Sequence, residues 1–229
     1  MTVLHLADEG EAADLAAFLG RLIHYDRAAA VRLQASGSTL AVFGRPPSFE
    51  VLAIRTARLV KPYEDGLEAT LDVTVSAGEL LESLDEAAAT ASVPAAVTGP
   101  PWAGLLPPRS GWQREPGLPP LDAVRTMVAT AVNEFRSRTQ ELPAERRTRA
   151  ELDRIGREIW SRPVGDSGLP VRAAHAAQAL GFLRPARAAT PDEEALGLYS
   201  SGAWLRLRTP YGSTAVRRTG LGALDVSVR

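Results

Sequence analysis

Cysteine is missing from this 229-residue chain. No disulfide framework, thiol nucleophile or thiolate metal site can be built without it. Lysine is nearly missing too: Lys61 stands alone among 26 basic residues, and the rest are arginine. Together with abundant alanine this looks like high-GC codon usage, which makes each arginine weaker evidence for anion recognition. The opening MTVLHLADEGEAAD has neither a basic n-region nor an apolar h-region, so no signal peptide is expected. No apolar run approaches the roughly 20 residues that span a bilayer. The expectation is a cytoplasmic protein without membrane contact.

Local catalytic and cofactor motifs are missing as well. The three histidines, His5, His24 and His175, have neither H-x-H nor H-x-x-x-H spacing. A metal site would need acidic partners brought in by the fold, and no metal is expected. There is no G-x-S-x-G elbow, no G-x-x-x-x-G-K-[ST] loop and no G-x-G-x-x-G turn. Neither a catalytic residue nor a cofactor is assigned. The cluster Asp8, Glu9, Glu11 and Asp14 could hold a cation or act as a carboxylate pair. An acidic first helical turn complementing the helix dipole is the simpler reading.

An apolar fraction of 45% and a charged fraction of 23% are those of an ordinary soluble globular protein. The charge is unevenly placed. Residues 1–92 carry a net −7 and residues 93–229 a net +6, within an overall −1. Such a division suits head-to-tail contact or a polyanionic partner for the basic part, and equally suits two separately solvated surfaces. A homo-oligomer stays open.

The chain is organised around a stretch that returns near its end. Residues 29–59 read AAVRLQ, a turn at Ser36-Gly37-Ser38, TLAVFG, a Pro46-Pro47 corner and SFEVLAIRTARL. Residues 195–221 read as a shorter copy: ALGLYSSG, AWLRLR, a Thr209-Pro210 corner and YGSTAVRRTGL. Setting Gly37 on Gly202 places Leu40 on Leu205 and Val42 on Leu207. A connector three residues shorter then places Ile54-Arg55 on Val216-Arg217 and Leu59 on Leu221. Apolar residues on both faces of the strand at 49–59 mark it as central in a sheet.

Thr2–Leu6 reads as a first strand, followed by a helix capped by Asp8 with Glu11 in the capping-box position. Leu15, Phe18, Leu19 and Leu22 form its apolar face. After an acidic turn at Glu64-Asp65-Gly66, a strand at 70–75 and a helix capped by Ser76 and Glu79 start a second β-α unit. Eight prolines between Pro94 and Pro120 exclude helix and central strand there. That stretch reads as a connector pinned by Trp102 and Trp112, or as a polyproline ligand. Helices at 121–138 and 143–160, connected through Glu141-Leu142-Pro143, form an antiparallel hairpin. A short strand at Leu169–Arg172, a helix at 173–182 and the second meander complete the chain.

The fold class is α+β, with two β-α-β-β-β units flanking the helical hairpin. The expected divisions are 1–92 as an N-terminal α+β unit with a second strand-helix start, 93–120 as connector, 121–162 as hairpin, and 163–229 as C-terminal α+β unit.

The order strand, helix, three-strand meander resembles the module of sliding DNA clamps. The stretch IRTARLVKPYEDGLEATLDVTVSAGELLESL is similar to the equivalent part of a bacterial clamp. The likeness covers residues 2–88 and 169–221. It departs after Leu84, where no meander completes the second module, and at the helix over 11–24, whose exposed side carries Glu11 and Asp14 instead of basic residues. On AAVRLQ, FEVLAIRTARL and the RTPYGS corner, the chain resembles an uncharacterised protein family of high-GC actinomycete-type bacteria. That resemblance implies no activity.

Alternation along Ala203–Arg208 puts Leu205 and Leu207 on one face and Trp204, Arg206 and Arg208 on the other. With Arg217 and Arg218 on the next strand, these five are the candidate residues for an anionic or protein partner. A competing arrangement has Trp204 covering a sheet edge or packed under the helical hairpin, and the arginines paired with its glutamates. The function expected is a non-catalytic binding protein contacting a protein or a nucleic acid. The alternatives are an enzyme, or a small-molecule-binding regulatory protein, whose site is assembled from Asp, Glu, Arg and His between the two α+β units.

Overall fold

A computed structural model describes residues 2–47, 49–60, 71–185 and 196–218. The first strand, β1 (Val3–His5), leads into α1 (Glu9–Tyr25). The Asp8 carboxylate accepts the Glu11 backbone N–H at 2.9 Å, satisfying an otherwise orphaned donor of the first turn. Leu15, Phe18, Leu19 and Leu22 recur at helical spacing and are all buried. Burial of each such side chain is worth about 2 kcal/mol, so this stripe fixes the helix on the sheet. The meander β2 (Ala30–Ser36), β3 (Thr39–Gly44) and β4 (Leu52–Arg58) follows. Next come β5 (Asp72–Ser76), α2 (Ala77–Glu82), β6 (Leu84–Asp85) and β7 (Thr90–Ser92).

In the second half, β8 (Gln113–Glu115) precedes α3 (Leu121–Gln140), α4 (Arg149–Trp160) and α5 (Val171–Ala179). The chain then makes β9 (Gly197–Ser201), β10 (Trp204–Thr209) and β11 (Gly212–Arg217). The architecture is α+β. Eight strands form one antiparallel sheet in the order β5-β2-β3-β4-β11-β10-β9-β8. Each half thus contributes four neighbouring strands, and the halves meet where β4 pairs with β11.

Both meanders open on a two-residue hairpin turn with glycine first, Gly37 at φ 56° and Gly202 at φ 53°. Glycine adopts that left-handed conformation without a Cβ clash, as a type II′ turn requires. The third strands differ from expectation. Leu40 faces Ala57 and Leu205 faces Val216, so Ala57, not Ile54, is the counterpart of Val216. The expected alignment was out by three residues because the second connection is a tight Pro210-Tyr211 turn. An odd shift exchanges the faces of a strand. Arg55 therefore points at the helices, and Arg217 at the opposite face; Leu221 lies outside the described residues.

Other elements also depart from expectation. β1 belongs to a separate three-stranded sheet, β1-β7-β6, and joins the meander only through the bridge of Leu6 to Leu59. A short β6–β7 hairpin follows Leu84. Leu169–Arg172 is not a strand: Pro163 and Pro170 form an isolated bridge, and α5 begins at Val171. Pro143 opens only a 3-10 turn (Ala144–Arg146), and α4 starts six residues later at Arg149, capped by Thr148. The acidic turn at residues 64–66 lies outside the described residues.

One face of the sheet carries α1, α2 and α5 with the main core, including Phe18 stacked on Phe182 at 5.7 Å. The other face is covered by residues 96–112 of the proline-rich connector. It leaves the first half at a bridge of Val75 to Ala96, takes a hydrogen bond from Arg32 at the Ala103 carbonyl, and reaches β9 where Ser201 bonds the Ser110 carbonyl. Trp102 and Leu106 pack on Phe43, Leu52, Ile54, Ala215 and Trp204. The connector is thus a strap across the sheet with Trp102 packed on it, whereas Trp112 donates to the Pro108 carbonyl of the strap itself at 3.0 Å.

Candidate functional site

Ile54, Ala53 and Leu52 pair with Ser213, Thr214 and Ala215, but the ladder stops there. β4 runs on to Arg58, while β11 begins one residue beyond Ser213 at the tight turn. The two strands part, and a cleft of about 440 Å³ opens between the halves of the molecule. Its lining includes Arg55, Arg58, Arg206 and Arg208 against one acid, Glu11. A second cavity of about 300 Å³ shares Thr39, Thr56 and Arg206 with it and adds Gln34 and Arg109 beneath the strap.

The four arginines of the cleft fall into two classes. Arg55 is only 5% exposed and donates to Glu11 and Asp14 at 2.9 and 3.4 Å. Arg58 reaches Asp8 and the other oxygen of Glu11. Asp14 also holds Arg184. The acidic side of α1 is thus paired with arginines, and no cluster suited to a metal ion occurs among the described residues.

Arg206 and Arg208 have no carboxylate in ion-pair distance among the described residues. Arg206 is half-buried, donates Nε and one terminal nitrogen to Ser213 Oγ at 3.0 and 2.8 Å, and lies 5.7 Å from the Trp112 ring. Burial, and then the charge of Arg208, push its guanidinium below the ordinary value. Arginine remains charged regardless. Half-buried positive charge held only by a hydroxyl and an aromatic ring is ready to receive an anion.

Of the five residues singled out in the sequence, Trp204, Arg206 and Arg208 do share the face opposite Leu205 and Leu207. They do not form one surface. Trp204 packs under the strap, with Arg217 opposite it in the ladder and 6.0 Å from its ring. Arg218 turns away to Glu115 at 2.6 Å; Ser200 and Arg218 together hold that carboxyl below its usual range. The hairpin glutamates engage hairpin arginines instead: Glu158 bonds Arg138, which holds its carboxyl down at about 2, and Glu134 bonds Arg162. Ser213, Thr39, Thr56 and Arg109 were not foreseen as site residues. Ser213 was within reach, since alternation from Arg217 through Ala215 puts it on the same face.

The fold and cleft define an α+β protein of two joined halves with a basic seam. Residues 107–221 match the family model described as a domain of unknown function (DUF8185), and the chain belongs to that family. Residues 1–104 match a second domain of unknown function (DUF8010). The boundary between the two matches falls inside the strap. No curated protein matches the chain. No helix among the described residues is long and apolar enough to cross a membrane.

Proposed function

We propose that the protein is a non-catalytic, cytoplasmic binding protein that holds the phosphate groups of a nucleic-acid partner in the seam between its halves. The observation that carries this reading is the pair Arg206 and Arg208, without a carboxylate among the described residues while Arg55, Arg58, Arg138 and Arg162 each have one. Arg109, in the adjoining cavity, extends the cationic line. The hydroxyls of Thr39, Thr56 and Ser213 supply neutral donors beside it, and phosphate oxygens accept from both kinds. Trp204 has no part in the contact, because the strap lies over it. A clamp-like role would use the same seam, with the two halves presented as one sheet.

A second reading, a small-molecule-binding regulatory protein, draws support from the size of the two connected cavities, which is that of ordinary ligand pockets. One experiment separates them. Single- and double-stranded oligonucleotides and a small phosphate such as pyrophosphate are titrated into the protein across a salt series. The comparison protein is Arg206→Gln/Arg208→Gln. Nucleic-acid contact predicts oligonucleotide binding that falls steeply with salt, with a slope shallower by about 2 in the variant. Tight pyrophosphate binding with no oligonucleotide binding selects the second reading. No binding of either at low salt refutes both.

A further inference from the structure

The strap leaves a third cavity at the opposite end of the junction. It has a volume of about 450 Å³ and lies against Leu52, Ala215 and Val216. Trp102 and Trp204 stand at its walls, and Leu105, 50% exposed, lies at its rim. The exposed Leu105 and the two half-buried indoles give the cavity an apolar wall open to solvent.

Around this apolar floor stand three arginines from three elements: Arg45 after β3, Arg172 in the first turn of α5, and Arg217 at the end of β11. None has a carboxylate in ion-pair distance among the described residues, and Glu50 is the single acid of the lining. The Nε of Arg172 is buried and makes no hydrogen bond. A buried guanidinium nitrogen without an acceptor leaves this cation poorly compensated, and an anion in the cavity would offset its charge. Arg217, close to the Trp204 ring, joins the cationic and aromatic parts of the cavity.

We infer that this cavity binds a small organic acid with a planar apolar body. The ring system lies against Trp102 and Trp204, and the carboxylate or phosphate meets Arg172 and Arg217. The volume is in the range of small-ligand sites, and its concave shape favours a small molecule over a flat protein epitope. Indole rings offer a planar body both faces and edges, with centroid separations of roughly 4.5–7 Å. Guanidinium forks match a carboxylate or phosphate two bonds at a time. The strap separates this site from Arg206 and Arg208, so the inference is independent of the nucleic-acid reading.

The test is calorimetric titration of the full chain with 2-naphthoate, its neutral analogue 2-naphthylmethanol and the cationic 2-naphthylmethylamine. Naphthoate is expected to bind one equivalent, about tenfold or more tighter than the neutral analogue, with the amine weakest. Arg172→Gln/Arg217→Gln should weaken naphthoate by about tenfold or more, while Arg206→Gln/Arg208→Gln leaves it unchanged. Should the double variant lose its native melting transition, exposed Arg217→Gln alone should still weaken naphthoate at least about threefold. Equal affinity for the acid and the neutral compound would overturn the inference. So would binding insensitive to Arg217, no binding at millimolar probe, or binding lost with Arg206 and Arg208.

Discussion

Ile54 stands opposite Ser213 across the β4–β11 junction. In their own meanders the two are counterparts, since Ile54 faces Phe43 and Ser213 faces Arg208 at equivalent register. A pair made of counterparts lies on a local two-fold axis. The meanders read outward from it in matching order, β4-β3-β2 on one side and β11-β10-β9 on the other, while the outermost strands differ, β5 following its meander in the chain and β8 preceding its own. One asymmetry opens the cleft: β11 starts at the tight Pro210-Tyr211 turn, so its ladder with β4 ends at Ser213 after three pairs.

A sheet and core shared by both halves should unfold as one unit. Phe18 of the first half stacks on Phe182 of the second. Phe18→Ala should cost about 3–5 kcal/mol and lower a single calorimetric transition. Two separable transitions, with only one shifted, would show that the halves are energetically independent.

Arg55 and Arg58 offer a contrast between buried and exposed ion pairs. Arg55→Ala leaves Glu11, whose side chain is only 13% exposed, with a poorly compensated charge. The expected loss is about 3 kcal/mol in urea unfolding. Arg58 is 70% exposed, and Arg58→Ala should cost less than about 1 kcal/mol. Equal effects would mean that the cleft side of α1 is more open to water than its packing indicates.

Gly212 closes the tight turn with φ 151°, and an added Cβ would stand 2.6 Å from the Phe182 ring. Gly212→Ala combines backbone strain with displacement of a buried aromatic ring. It should destabilise by more than about 1 kcal/mol, measured by the urea midpoint. A neutral result would indicate that the turn readily adopts another conformation.

His175 lies between Trp160, at 4.7 Å, and Phe49, at 5.0 Å. Burial holds its pKa below the ordinary 6.5. The folded state therefore favours the neutral ring. Its contribution is complete above the unfolded pKa and is lost as pH falls through the lower folded value. Stability should decline in the wild type as pH falls below about 6.5 and decline less in His175→Phe. Parallel curves for the two proteins would remove His175 as the cause.

Much of the fold was legible because it depends on local rules. Gly37 and Gly202 mark turns that only certain residues make, Asp8 and Ser76 cap helices, and the doubly apolar stretch at β4 announced a central strand. What stayed hidden depends on pairing between distant segments. Nothing local in β4 or β11 says that they join, so the three-residue error in their alignment went undetected and the cleft with it. The candidate site was half visible for the same reason. Alternation placed Trp204, Arg206 and Arg208 on one face, but only the course of the strap shows that Trp204 and Arg206 belong to different cavities.

The most direct test of the seam as the anion-binding site is to watch the Arg206 side chain itself. Its Nε–H signal, assigned by comparison with Arg206→Lys, can be followed in nitrogen–proton correlation spectra while a short single-stranded oligonucleotide is added at low salt. The account predicts a saturating shift of the Arg206 signal, with Arg55, already bound to Glu11, unmoved. An Arg206 signal that stays in place while the oligonucleotide binds elsewhere would contradict it.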